Sequence, residues 1–227
     1  MTLSAGGCRR EGIALNTTEA EHPTRSTRKA RGSGHLRRAE MLAAAERIFN
    51  TAGYEGATIR KIAEEVGVSS TALYMYFQDK SEIMLEICLA ALNGLHASID
   101  DLEGQNPDPA LYVRGILERF MRFGFEQPTA YQLLYCVAPK DVKARRHEVI
   151  GPLSERGFER IQKAVEAAMA AGRMRSGMTS RAVTEALVAA CHGAISMRLG
   201  NPYAPWNEPE VLSRTLLDGL FKGFQAP

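Results

Sequence analysis

Between Ile59 and Phe77 the chain reads Ile59-Arg60-Lys61-Ile62-Ala63-Glu64-Glu65-Val66-Gly67-Val68-Ser69-Ser70-Thr71-Ala72-Leu73-Tyr74-Met75-Tyr76-Phe77. Two short helices on either side of a tight turn fit this pattern. Ala63 is small where two helices must approach closely, and Gly67 can take the positive φ that the turn needs. Ile62, Val68 and Leu73 are apolar where the angle between the helices has to be locked. On the second of these helices Ser70, Thr71, Ala72 and Tyr74 fall on the outward side. Their side chains are short, or aromatic with a hydrogen-bonding tip, and such side chains suit base edges in a major groove.

The residues that could do covalent or metal chemistry do not assemble. Cys191 and His192 are neighbours on an expected helix, where adjacent side chains point about 100° apart and cannot share one ligand. His147-Glu148 opens like a helical zinc-protease motif, but the position four beyond His147 is Gly151, so no second imidazole reaches that face. Cys8, Cys88, Cys136 and Cys191 are too far apart for a paired zinc site and too few for a disulfide framework, so a reducing cytosol is the default. Neither a nucleophile elbow nor a phosphate loop occurs. The expectation is a protein that is not an enzyme and carries no metal or cofactor.

The elements that must hold the outward residues are helical. Among 227 residues, 45% are hydrophobic and 24% charged, enough to bury a core in one or two domains. Lys plus Arg number 28 against 26 for Asp plus Glu, so any basic surface must be local. Residues 1 to about 35 have scattered apolar side chains and read as a disordered tail; within its end, Arg25, Arg28, Lys29, Arg31, Arg37 and Arg38 follow one another with no acidic residue between. Up to residue 80, basic residues exceed acidic ones by three. Leu42, Ala45, Phe49 and Ala52 mark a first helix ending at Gly53; Thr58 and Ser69 can cap the next two. Helical patterns then cover 83–99, 110–126, 128–137, 148–171, 179–199 and 208–224, with no convincing strand alternation. No run approaches the roughly 18 apolar residues of a membrane span.

This ordered set resembles the TetR (tetracycline-repressor-like) family of bacterial transcriptional regulators. The resemblance is carried by Phe49, Gly53 and Tyr54, by Ala57-Thr58-Ile59-Arg60-Lys61-Ile62-Ala63, by Gly67-Val68-Ser69, and by Leu73-Tyr74, Tyr76-Phe77 and Lys80. It implies an all-α fold: a tail over 1–35, a three-helix helix-turn-helix DNA-binding domain over 36–82, and a helical effector-binding and dimerisation domain over 83–227. It implies that Arg60, Ser70, Thr71, Ala72 and Tyr74 face bases or nearby backbone and that Thr58, Tyr76 and Lys80 hold phosphates. The partners implied are a double-stranded DNA operator, a second copy of the chain and a small-molecule effector; the location implied is cytoplasmic, with no membrane.

In the C-terminal part, Tyr131-Gln132-Leu133-Leu134-Tyr135 and Cys191-His192-Gly193 are similar to a subgroup marked by Trp, three residues, then His-Gly; here Val188 stands at the Trp position. An effector cavity in such a domain would draw on its aromatic and sulfur-bearing residues, and Phe120, Phe123, Tyr131 and Met169 are the expected lining. Packing between helices is the expected role of His192. The repeat Leu212, Leu216, Leu220, Phe224 on the last helix suggests an association face, and Trp206 a cap on the bundle or the dimer seam.

Overall fold

A computed structural model describes residues 34–105, 107–136, 142–175 and 177–226. The expected basic tail lies outside the described residues apart from its end, where Arg37 and Arg38 already belong to the first helix. The elements are α1 (Gly34–Gly56), α2 (Ile59–Val66), α3 (Ser70–Tyr74), α4 (Lys80–Gly104), α5 (Pro109–Glu126), α6 (Pro128–Tyr131) continued by a π-helical turn (Gln132–Cys136), α7 (Lys143–Ala170), α8 (Ser180–Gly200) and α9 (Pro209–Phe224). Among the described residues the one β-type pairing is an isolated bridge between Met174 and Gln225. The fold is all-α.

Local chemistry sets the boundaries. Side chains of Thr58, Ser69, Asp79, Asp108 and Thr179 each accept a hydrogen bond from a first-turn amide of the helix they precede, donors that would otherwise lack a partner. Gly67 ends α2 in the left-handed region at φ 70°, and its amide and that of Val68 bond back to the last carbonyls of the helix. Gly53, at φ 68°, breaks α1 where the sequence pattern places its stop, and a final turn follows the break.

The buried residues form one continuous core running from Met41 in α1 to Leu217 in α9. The boundary expected near residue 82 falls inside α4, whose early residues Ile83 and Met84 are buried along with later ones such as Leu92 and Ile99. By length and composition α4 could cross a bilayer, but half of its most apolar window is buried in the protein. α5 lies centrally, packed against α4, α7, α8 and α9. On α9, Leu216, Leu220 and Phe224 pack partly buried against the chain's own core, and Leu217 is fully buried. Most of the expected association repeat is therefore occupied within the subunit, because α9 turns that stripe inward onto its own bundle.

The contact between α5 and α8 depends on a missing side chain. A Cβ at Gly124 would lie 2.7 Å from Ile195 Cγ2 and 2.8 Å from its Cδ1, and Ile195 is β-branched and fully buried, with little freedom to move aside. Gly124→Ala is expected to destabilise the fold by about 1–3 kcal/mol through overpacking, and it should cost less in a chain carrying Ile195→Ala, which removes every atom the new Cβ would strike. Heat-unfolding midpoints of the two variants and the double variant check this.

Candidate nucleic-acid interface and effector cavity

α3 has five residues, too few to persist alone. Three constraints hold it: the Ser69 hydroxyl on the Ala72 amide at 3.1 Å, the left-handed Gly67, and the fully buried Leu73. With Leu73 inside, Thr71, Tyr74 and Met75 face out; Tyr74 is 56% and Met75 82% exposed. Ser70, Ala72 and Tyr76 are partly covered. Thr58 and Arg60 are exposed at the start of α2, where the Thr58 hydroxyl accepts from the Lys61 amide. Arg60 pairs with Glu64 at 2.8 Å, and the hydrogen bond it donates to the Glu64 carboxylate raises its pKa. The exposed residues therefore lie on α3 and at the start of α2, the two helices the turn joins.

Lys80 is placed differently from the expected phosphate contact. Its ammonium donates to the carbonyls of Tyr54 at 2.7 Å and Ala57 at 3.1 Å, and sits 4.0 Å from the centre of the Tyr54 ring. In this arrangement Lys80 closes the end of α1 onto the start of α4 and is not a free surface cation. Arg38, taken by sequence pattern as part of the basic tail, is also structural. Its guanidinium pairs with Glu86, donates to the Tyr76 carbonyl at 2.5 Å, and lies 4.2 Å from the Phe77 ring centre. It clamps the segment after α3 between α1 and α4. Nothing in the sequence distinguishes it from its neighbour Arg37, which pairs with Glu40 on the surface.

The charge around the turn is balanced. Residues 34–80 contain six basic and six acidic side chains, so the basic excess up to residue 80 lies wholly within residues 1–33. Asp79 sits beside this region as the cap of α4. Burial alone would raise its pKa, but the Ser81 hydroxyl, the Glu82 amide and Arg145 together hold it below the usual carboxylate range. Arg145, from the first turn of α7, reaches Asp79 at 3.3 Å and so ties the larger bundle to the helix that follows α3.

Farther along α4, a cavity of about 230 Å³ opens between α4, α5, α7, α8 and the π-helical turn. Phe120 lines it, as do Leu92, His96, Leu153, Tyr135, Val188 and His192. Phe123, Tyr131 and Met169, expected in the lining, are not part of it: Phe123 and Tyr131 are buried in the core beside the cavity, and Met169 packs against that core farther along α7. Tyr131 acts from behind the wall. Its hydroxyl lies 2.8 Å from His192 Nδ1 and 3.1 Å from Ser196 Oγ, which fixes the imidazole that does face the cavity. Burial lowers the pKa of His192. Phe120 and Tyr135 meet this ring edge-on at 4.8 and 4.7 Å. The π-helical turn, which no periodicity in the sequence disclosed, brings Tyr135 and Tyr131 to the same histidine.

Cys191 points elsewhere and is fully buried, and burial pushes its thiol up to about 12, so it is not a nucleophile at neutral pH. Among the described residues no group of three or more His, Cys, Asp or Glu could hold a metal ion.

Lys80 and Tyr74 separate structural from surface roles. Lys80→Met is expected to lower the heat-unfolding midpoint, since it leaves two partly buried carbonyls without a charged donor worth about 1.5–3 kcal/mol; each kcal/mol moves the midpoint of a chain this size by roughly 2–4 °C. Tyr74→Ala should leave the midpoint unchanged within about 1 °C, because an exposed ring contributes little to the core. Calorimetry of both variants provides the comparison.

Residues 41–87 match the model of the bacterial regulatory proteins of the TetR family, and residues 113–220 match a tetracycline-repressor-like C-terminal domain. Over 118 residues the chain is 28% identical to the transcriptional regulator EthR of Mycolicibacterium smegmatis, a match covering 51% of this chain and 54% of that protein, or about half the length of each. It is 27% identical over 172 residues to the nicotine-responsive transcriptional repressor HdnoR of Paenarthrobacter nicotinovorans, covering 74% of this chain and 87% of the relative. The fold superimposes on the ketosteroid transcriptional regulator KstR2 of Mycobacterium tuberculosis with a TM-score of 0.70 at 21% identity, over 84% of this chain and 96% of that one. These relatives are regulators, not enzymes. With both its helix-turn-helix segment and its C-terminal bundle matched, the chain belongs to the TetR family of bacterial regulatory proteins.

Proposed function

We propose that the protein is a cytoplasmic repressor that binds a near-palindromic operator as a homodimer and is released by a small molecule held in the cavity between α4, α5, α7 and α8. The observation that carries the reading is the pairing of an exposed α3 face with a fixed α3 axis: Tyr74 and Met75 project outward while Leu73 is fully buried. Thr71, Tyr74 and Ser70 supply base contacts, with Ala72 against a thymine methyl; Thr58, Arg60 and Tyr76 reach backbone or neighbouring bases. Lys80 reaches a phosphate only by leaving the Tyr54 and Ala57 carbonyls, so its contribution is mainly to hold the domain.

A dimer presents two α3 helices about 34–36 Å apart, or a multiple of it, in successive major grooves. The outward face of α8 suits the seam. Ala186, Ala189 and Met197 are exposed at helical spacing, and Gly193 between them has nothing within 4 Å of a Cβ position. The architecture supports effector release: α4 packs on the helix-turn-helix at one end and lines the cavity at the other, while α7 lines the cavity and reaches Asp79 through Arg145. A coupling of about 1–3 kcal/mol along these helices changes operator affinity some 5- to 150-fold.

One observation favours a second reading, a helical interaction protein without sequence-specific DNA binding: the described helix-turn-helix carries no net positive charge over residues 34–80. The two readings part at the N-terminal segment. If the protein binds DNA, removal of residues 1–33 should weaken binding and flatten its salt dependence, since that segment holds the basic excess. Gel-shift titration against the DNA upstream of the chain's own coding region tests the main reading. Wild-type protein should shift it, and Tyr74→Ala should bind roughly 5- to 150-fold more weakly, the worth of one good base contact. A shift equally strong with Tyr74→Ala would favour the second reading.

A further inference from the structure

Among the described residues the cavity wall contains Leu92, Ile116, Phe120, Phe158, Val188 and other uncharged residues, and no Lys, Arg, Asp or Glu. Its polar groups are two histidines, Ser154 and Tyr135. Burial, the first cause, pushes the Tyr135 hydroxyl up to about 12, so at neutral pH it is a donor and not an anion. Neither that hydroxyl nor Ser154 Oγ has a hydrogen-bond partner among the described residues. His96 uses Nε2 on the Leu153 carbonyl at 3.1 Å, which leaves its buried Nδ1 without a partner, and His192 uses Nδ1 on the Tyr131 hydroxyl. Later on α4, Asp100 and Glu103 are engaged by Arg160, whose guanidinium also reaches the Tyr112 hydroxyl. The cation that acts electrostatically on Tyr135 is Arg146, on an earlier turn of α7 and outside the wall. Among the described residues an ion of either sign would meet no counter-charge in contact, and moving a charge out of water without a partner is strongly unfavourable.

Size follows from volume. A dry apolar cavity of about 150 Å³ holds benzene, so one of about 230 Å³ holds roughly nine non-hydrogen atoms. We propose that the cavity takes a small, uncharged, mainly apolar molecule of roughly nine non-hydrogen atoms, whose one polar group is a hydrogen-bond acceptor held by the Tyr135 hydroxyl. The proposal rests on the cavity being the effector site, and it narrows the class of effector to neutral carbonyl-, ester- or ether-bearing molecules.

Three matched probes test it by calorimetric binding to the full-length chain without DNA: octan-2-one, octanoate and octylammonium. The ketone should bind saturably, at least about 100-fold more tightly than either ion. Tyr135→Phe should weaken the ketone about 2- to 12-fold, and Val188→Trp, which fills the cavity from α8, should abolish binding. Octanoate binding as tightly as the ketone, and losing that affinity in Arg146→Met, would overturn the proposal in favour of an anionic amphiphile. Absence of saturable binding by all three, or ketone binding unchanged in Val188→Trp, would overturn it as well. The comparison of probes uses the wild-type chain alone and stands if the tryptophan variant fails to fold. Because binding is read directly, failure here is distinguishable from failure of DNA binding. If the ketone binds but leaves operator affinity unchanged, the site's chemistry is supported and the effector reading is what falls.

Discussion

A five-residue helix has no stability of its own, and the placement of α3 is the constraint on which the rest of the molecule depends. Nucleating a helix fixes several backbone dihedrals for each hydrogen bond gained, and α3 is too short to recover that cost by propagation. Its order is imposed from outside at three points. Ser69 caps it, Gly67 sets its direction, and Leu73 anchors it in a core shared with α1 and α4. Burying one leucine side chain supplies about 1.5–3 kcal/mol and a cap about 1 kcal/mol, so loss of either is a large fraction of what holds α3 in place. Arg38 then closes the exit of α3 by binding the Tyr76 carbonyl and both pairing with Glu86 and stacking on Phe77. The outward residues carry no part of this work, which leaves them free to be selected for contact.

The features legible in the sequence were those encoded by local chemistry. Thr58, Ser69, Gly67 and the spacing of Ala63, Val68 and Leu73 act on residues within a few positions of themselves, so type and spacing suffice to read them. The features that stayed hidden depend on residues far apart in the chain. Lys80 meets the Tyr54 and Ala57 carbonyls, and Arg38 meets Glu86, across separations that no periodicity reports. A lysine or arginine carries the same letter whether it faces solvent or closes a helix end. Phe123, Tyr131 and Phe120 likewise share a composition, and only the rotation of α5 and the π-helical turn decides that Phe120 reaches the cavity while the other two fill the core beside it. The α9 repeat is open to two readings for the same reason. A stripe of leucines specifies a buried face, but whether its own subunit or a second copy covers that face is set by how α9 docks on α5 and α8.

The core is continuous from the helix-turn-helix into the bundle, and the proposed release by a ligand in the bundle depends on this continuity. A hinge of loop between two separate cores would let each relax independently. Here α4 is buried along its length, with Ile83 and Met84 in one part of the shared core and Leu92 and His96 against the cavity, so displacement at one end must be accommodated at the other or resisted by packing. The Arg145–Asp79 pair adds a second connection from α7, but both partners are more than a third exposed, and a pair of that kind contributes little energy. Its importance is positional: it sits on the cap that starts α4, immediately after the segment leaving α3.

The same packing argument limits how a ligand can act. A molecule with equal affinity for two arrangements of α4 shifts nothing, however tightly it binds. Release by a ligand, as proposed, therefore requires the cavity to change shape or polarity between the arrangements. The wall has one element suited to this. The Tyr131–His192–Ser196 network holds an imidazole between α8 and the π-helical turn, and Phe120 and Tyr135 pack edge-on against it. Tyr135 belongs to that turn, which follows α6, and α6 packs against both α1 and α4. The route from cavity to helix-turn-helix thus runs through contacts already present, and it requires the turn to have two packings close in energy rather than a flexible linker.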